Sequence, residues 1–266
     1  MDNWPETIYT TSPLSYVFHS VVKKYLKKIH KKSILNFAIS DALGEKYSSV
    51  YGVEYRMLMN PAIHIENEIQ YIKKNPKFLY AGSLNLNRWK SLLEIAKVID
   101  FYQKNGSNLE FTLYVPQNDV EMYAGEFLKY GAVLKPYVPA EKLNKIYKEH
   151  DILVFAESFE KVVVDFSKYS LSTKIPEYMA TGHLILAYLP EELYSSQYLK
   201  ENNLAVVVSK TEELLVAVKK ILSLSEEYYI LSENSLKKAH SFHSIDACKK
   251  LLCYAIKTTC VNYRVK

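Results

Sequence analysis

The chain has 266 residues, with 34 Lys and Arg against 29 Asp and Glu for a formal net charge of +5, and it is 48% hydrophobic and 24% charged. That balance excludes a disordered, collagen-like or coiled-coil chain, and the length sets one large domain or two small ones. Three cysteines, Cys248, Cys253 and Cys260, lie near the C-terminus without CxxC spacing or grouped histidines, so neither a disulfide framework nor a zinc site is expected and a reducing cytoplasm fits.

Met1 is followed by Asp2, Asn3, Trp4 and Pro5, which does not read as a signal peptide. The longest apolar runs, Leu184 to Pro190 and Leu204 to Val208, are far shorter than the ~20 residues of a bilayer span, so a soluble chain is expected. Only 7 glycines occur. In so glycine-poor a chain, Gly82 and Gly182 are expected where a side chain does not fit.

From Pro13 to Lys32, Leu14, Val17, Phe18, Val21, Val22, Tyr25, Leu26 and Ile29 recur at helical spacing, and Lys23, Lys24, Lys27, Lys28, Lys31 and Lys32 fill the rest. Ile34 to Ser40 reads as a strand, Asp41 to Tyr51 as a helix closed by Gly52, and Val53 to Met59 as a strand stopped by Asn60 and Pro61. The stretch up to Lys77 is weakly patterned and reads as a linker.

A regular alternation follows. Strands are predicted at Phe78 to Ala81, Leu109 to Val115, Val133 to Leu134, Ile152 to Ala156, Leu184 to Tyr188 and Leu204 to Val208. Helices are predicted at Trp89 to Gln103, Asp119 to Tyr130, Glu141 to Glu149, Thr173 to Ala180, Tyr194 to Glu201 and Thr211 to Leu222. Such βαβ units predict an α/β fold: a Rossmann-like parallel sheet with helices on both faces, plus a partial N-terminal α/β unit. The expected organisation is an N-terminal unit over 1–62, a linker over 63–76, the Rossmann-like domain over 77–234 and C-terminal helices over 235–266.

Ligands of open parallel sheets bind at the carboxyl ends of the strands. The first loop there, 80–90, holds Gly82 and Ser83, with Arg88 or Lys90 as a cation beside a helix N-terminus, which suits a phosphate. A plain strand-to-helix turn with solvated basic residues is the alternative. The second, 170–182, offers Ser172 or Thr173 as a helix cap, Lys174 in the first turn, and Glu177 one turn on, where a carboxylate can accept ribose hydroxyls. The alternative there is a capping box that satisfies only the helix end. His64, His150, His183, His240 and His243 show no metal-ligand spacing and are read as structural. No Gly-x-Ser-x-Gly elbow accompanies Ser170 and Ser172, which argues against a hydrolase.

Three blocks carry a resemblance: FLYAGS at 78–83, VPAEKL at 138–143 with Tyr147 and DILV at 151–154, and STKIPEYMATGHLI at 172–185. In sequence and spacing they resemble family 4 glycosyltransferases of the GT-B fold, over about Ala62 to Leu222. The resemblance implies the donor-binding half of a two-lobed enzyme that transfers a sugar from a nucleotide-sugar with retention and without a bound metal or other cofactor. It implies that Arg88 faces the diphosphate beside the Gly82 loop, that Ser172 and Lys174 line the phosphates, that Glu177 holds the ribose and that Tyr137 meets the base. Many relatives carry a further glutamate eight positions before the ribose-binding one. That position is Tyr169, with Asp165 or Glu160 as substitutes. Residues 1–9 resemble the middle of the acceptor lobe, most of which has no counterpart, so the chain resembles a truncated enzyme.

The implied acceptor is a glycan or lipid-linked glycan of cell-surface polysaccharide synthesis, reached from the cytoplasm. The lysines of 14–32 read as a solvated face or as a peripheral contact with anionic lipid at the inner membrane face. No nucleic-acid motif accompanies them. A noncatalytic nucleotide-sugar-binding module that needs a partner lobe is the alternative function. A flavodoxin-like or response-regulator-like domain would need an acidic cluster at the strand ends.

Overall fold

The computed structural model describes residues 13–223 and 226–264, so residues 1–9, with their resemblance to an acceptor lobe, lie outside it. The first described elements are α1 (Pro13–Lys32), β1 (Phe37–Ala38), α2 (Asp41–Tyr51) and β2 (Arg56–Met57). β1 and β2 pair in parallel as a two-stranded sheet, and both are much shorter than the apolar runs that predicted them. Ser40 caps α2 by accepting from Leu43 N, and Gly52 closes it at φ 70°.

The main sheet contains β3 (Lys77–Ala81), β4 (Glu110–Val115), β5 (Ala132–Pro136), β6 (Ile152–Ala156), β7 (Leu184–Tyr188) and β8 (Val206–Val208). All neighbours are parallel, in the order β5-β4-β3-β6-β7-β8. The helices between them are α3 (Arg88–Lys104), α4 (Gln117–Leu128), α5 (Ala140–Lys148), α6 (Lys161–Ser167), α7 (Lys174–Met179), α8 (Tyr194–Glu201) and α9 (Thr211–Leu222). α6 is an addition to the expected elements. α10 (Glu226–Lys238) runs unbroken through 234 and 235, then a π-helical turn, Ala239–His243, leads into α11 (Ile245–Arg264).

Alternation along the strands builds a core on each face of the sheet. Phe78, Tyr80, Val154 and Leu186 face one side with Leu92, Ile95 and Ile99 of α3 and Val218 and Ile221 of α9. Leu79, Leu153, Phe155 and Ile185 face the other, under Ile146 and Tyr147 of α5 and Ile175 and Tyr178 of α7. Each of these side chains is buried, and at ~25 cal/mol per Å² of apolar surface the two layers supply most of the driving force for this fold.

The segment 63–76 has no helix or strand, yet it is pinned. Glu66 N donates to Ala180 O and Gln70 N to Gly182 O, at 2.8 and 2.9 Å. The buried Asp151 carboxylate accepts from Lys77 N at 2.9 Å and pairs with Lys73 at 3.4 Å. Gly182 is where this segment crosses the end of α7. Its φ is +71°, and a Cβ there would sit 2.6 Å from Glu68 O, which is fixed main chain. Gly182→Ala therefore combines left-handed strain with a backbone clash and should lower the unfolding free energy by about 2–4 kcal/mol. Gly52→Ala has the same strain but open space and should cost about 1 kcal/mol. Urea denaturation of the two variants checks the order.

Candidate functional site

From β3 the chain proceeds through β4 to β5 at one edge, then returns to place β6 on the other side of β3. The carboxyl ends of β3 and β6 thus flank the switch point of the sheet, where a crevice forms. Three loops converge on it, those after β3, after β6 and before α7.

The β3 loop is held from below. Tyr80, fully buried, donates its hydroxyl to Ser83 O at 2.7 Å; Gly82 N donates to Tyr114 O; and Leu84 N donates to the buried Asp119 carboxylate at 2.9 Å. Ser83 Oγ accepts from Asn85 N at 3.1 Å, so this hydroxyl braces the turn. Leu86 and Asn87 adopt left-handed φ of 59° and 57°, which turns the chain into α3 at Arg88.

Arg88 points across the crevice to the residue that follows β6. Its Nε lies 2.7 Å from Glu157 Oε2 and its Nη2 3.3 Å from Oε1, a forked pair with both side chains largely buried. Ser91 Oγ donates to Glu157 O, which fixes that residue from α3. Sequence reading passed over Glu157. Its signal is positional: it is the first residue past a buried strand, and only the sheet order shows that this strand neighbours β3.

The third loop delivers Lys174. A Cβ on residue 82 would collide with Lys174 Nζ and Cε, so the absent side chain of Gly82 is the space the ammonium occupies. Nζ also lies 5.2 Å from the centroid of the Tyr80 ring. Burial, with the Arg88 charge second, pulls the Lys174 pKa from 10.5 down to about 8, against Glu157 and Glu177, which raise it. Glu177 stands exposed at the rim; its partial burial raises its pKa and Lys174 lowers it. Tyr137, half-exposed, lies in the field of Arg88 and Asp119, and burial is the main cause of its raised pKa. Tyr178, wholly buried, lays its hydroxyl 3.0 Å from Ala81 N.

The structure thus gathers Gly82, Arg88, Lys174 and Glu177, with Tyr137 beside them. The other expected residues are held as follows. Lys90, exposed in the first turn of α3, is paired with Glu160 at 2.5 Å, and Asn87 also donates to Glu160. Ser172 and Thr173 do not cap: Thr173 holds the cap position without a side-chain hydrogen bond, and Ser172 uses its main chain, donating N to Ser195 Oγ and accepting from Ile175 N. The helix-cap expectation and its capping-box alternative both fail because Thr173 has helical φ and ψ, which aims its hydroxyl away from the first-turn N–H groups. Tyr169 lies under the ammonium groups of Lys46 and Lys168, and its carbonyl accepts from Ser40 Oγ, which ties α2 to this loop.

Beside Glu177 a cleft of about 660 Å³ runs between the 60–66 segment, α5 and α7, with Leu143, Tyr147 and Ala180 among its apolar walls. Among the described residues no group of three or more His, Cys, Asp or Glu is placed to hold a metal ion. Two cations, Arg88 and Lys174, thus face one crevice with Glu157 as their near carboxylate. That is the charge pattern of an anion site, with hydroxyl recognition available at Glu177.

No protein-family model matches the chain, and no curated protein sequence matches it. Solved structures do. A variant of S. aureus TarM in complex with Fondaparinux, alpha-GlcNAc-glycerol and UDP superposes with a TM-score of 0.65 at 12% identity, over 88% of this chain and 46% of that one. The pneumococcal O-GlcNAc transferase GtfA in complex with UDP and GlcNAc gives 0.61 at 14% identity, over 88% and 47%. WaaG, a glycosyltransferase involved in lipopolysaccharide biosynthesis, gives 0.58 at 14% identity, over 81% and 60%. The fold is that of GT-B glycosyltransferases. The chain spans about half the length of the structures it matches.

The lowered pKa of Lys174 has a consequence for stability. The unfolded chain holds this proton up to about 10.4 and the folded chain releases it at about 8. Between those values the unfolded state binds more protons, so stability rises with pH there and the penalty is fully present below about 8. Lys174→Met should remove a rise of about 2–3 kcal/mol between pH 8 and 10.5. Denaturant melts of both proteins across that range check this.

Proposed function

We propose that this chain binds a nucleotide-sugar and belongs to a retaining, metal-independent glycosyltransferase of the family 4 type. The observation that carries this reading is that Lys174 fills the space beside Gly82, within the field of Arg88, so two cations face one crevice. In this reading the two cations take the diphosphate, where fixed positive charge stabilises the charge that grows on the leaving group. Glu177 accepts the ribose hydroxyls and Tyr137 meets the base. Ser83, Ser172, Thr173 and Lys90, on the same two loops and the first turn of α3, complete the proposed donor-binding set.

Residues 77–234 form the nucleotide-sugar-binding domain, 1–62 belong to the acceptor-type α/β unit, 63–76 connect them and 235–266 are the closing helices. The acceptor is a glycan or lipid-linked glycan of a cell-surface polysaccharide. Transfer takes place on the cytoplasmic side, with helix 14–32 at the membrane face.

A second reading is a noncatalytic nucleotide-sugar-binding module. It is favoured by Tyr169 at the position of the additional glutamate and by the contacts that hold Glu160 to Lys90 and Asn87. Release of nucleoside diphosphate in the presence of acceptor separates the two, since only the enzyme turns over.

Calorimetric titration with UDP, GDP, ADP and CMP, with and without EDTA, tests the shared part. One nucleotide should bind saturably and independently of EDTA. Glu177→Gln should weaken it by about 1–3 kcal/mol, the cost of losing a charge-assisted hydrogen bond. Gly82→Ala should weaken it at least as much, because a Cβ there displaces the Lys174 ammonium and presses on the buried Tyr80 hydroxyl 2.9 Å away. Absence of binding to all four nucleotides, or a Glu177→Gln change confined to melting temperature, overturns the reading.

A further inference from the structure

Five residues of the apolar stripe of α1 do not pack inward. His30 holds the inner side of this helix, its ring centroid 4.4 Å from that of Tyr51 and its Nδ1 2.9 Å from Tyr55 Oη. At 3.6 residues per turn, the arc formed by Val17, Phe18, Val21, Tyr25 and Ile29 is centred about 150° from His30 and points outward. Val17, Phe18, Tyr25 and Ile29 are 66, 56, 62 and 60% exposed. A single outward apolar residue is ordinary; five on one helical arc are a surface.

The charges of the helix say what covers it. α1 has no acidic residue, and Lys24, Lys27, Lys28, Lys31 and Lys32 are all exposed. Lys28 and Lys32 continue the line of Val17, Val21 and Tyr25, so they stand inside the apolar arc instead of opposite it. Lys28 Nζ lies 5.8 Å from the centroid of the Tyr25 ring. A protein core closing over this arc would have to bury those ammonium groups without any acid on α1 to pair them. At a lipid–water interface the long lysine stems lie along the apolar surface while their heads reach phosphates. Among the described residues no helix is long and apolar enough to cross a membrane, so the contact is in the plane of the surface.

We propose that α1 inserts the Val17–Ile29 arc into the headgroup region of an anionic lipid surface, with the lysines bound to lipid phosphates. This deepens the membrane-face part of the function above by naming the inserted side chains. It rests on α1 alone and does not depend on the donor site.

The test is sedimentation of the full chain with vesicles of phosphatidylcholine alone and of phosphatidylcholine with about 30% phosphatidylglycerol. The chain should bind the anionic vesicles and not the neutral ones. Phe18→Ser combined with Ile29→Ser, and separately Lys24→Glu combined with Lys28→Glu, should each weaken binding at least tenfold without shifting the melting temperature, since all four side chains are exposed. Tyr25→Trp should show a blue-shifted emission with anionic vesicles. Failure to bind anionic vesicles, or binding that survives the Phe18→Ser and Ile29→Ser pair, overturns the proposal. So does an oligomer of the free chain that the same pair converts to monomer while vesicle binding is absent, because the arc is then a protein interface. Nucleotide titration of the same samples keeps this result separate from that of the donor-site reading.

Discussion

The arrangement of the crevice depends on one missing side chain. Lys174 Nζ occupies the volume that a Cβ on residue 82 would fill, so the β3 loop and the start of α7 close onto each other through that gap. Everything near it follows. Tyr80 must lie flat beneath to receive the ammonium, and its hydroxyl then spans to Ser83 and braces the turn. Tyr178, on the same helix as Lys174, reaches back to Ala81 from the other core layer. Segments nearly a hundred residues apart in the chain are thereby fastened on both sides of a single strand end.

The electrostatic consequence is a site out of balance. Two cations repel each other across a partly dry crevice, and the lowering of the Lys174 pKa records both burial and the presence of Arg88. Glu157 relieves Arg88 through a forked pair, while among the described residues Lys174 has no carboxylate at hydrogen-bond distance. An anion with several oxygens would supply what the protein withholds. Carrying such a strained cation costs stability in the empty protein, as buried functional charges commonly do.

Most helices and the buried strands of the main sheet were legible from spacing alone, because those helices show one face to a core and β6 and β7 are apolar and buried throughout. β1 and β2 came out shorter than their apolar runs, since a run marks burial and not the reach of a hydrogen-bonded ladder. α6 was missed because the consecutive Val162, Val163 and Val164 carry neither helical nor alternating period. The two site loops were visible one at a time, through Gly82 and through Lys174 with Glu177. That they touch is a property of the sheet order, which makes β6 the neighbour of β3, and so Glu157 could not be found from any local pattern. The stripe on α1 shows the same limit. Periodicity reveals an apolar face and is silent on what covers it.

The central claim is that Lys174 is a cation held ready for an anionic ligand. Its ε-carbon can be followed by NMR in a chain carrying labelled lysine, with Lys174→Met for assignment, and its titration recorded with and without a saturating nucleoside diphosphate. The account predicts a midpoint near 8 in the free protein and a rise of at least one pH unit when the diphosphate is bound. A bound diphosphate that leaves the midpoint where it was would contradict it, because the ligand would then sit away from the crevice that Gly82 opens.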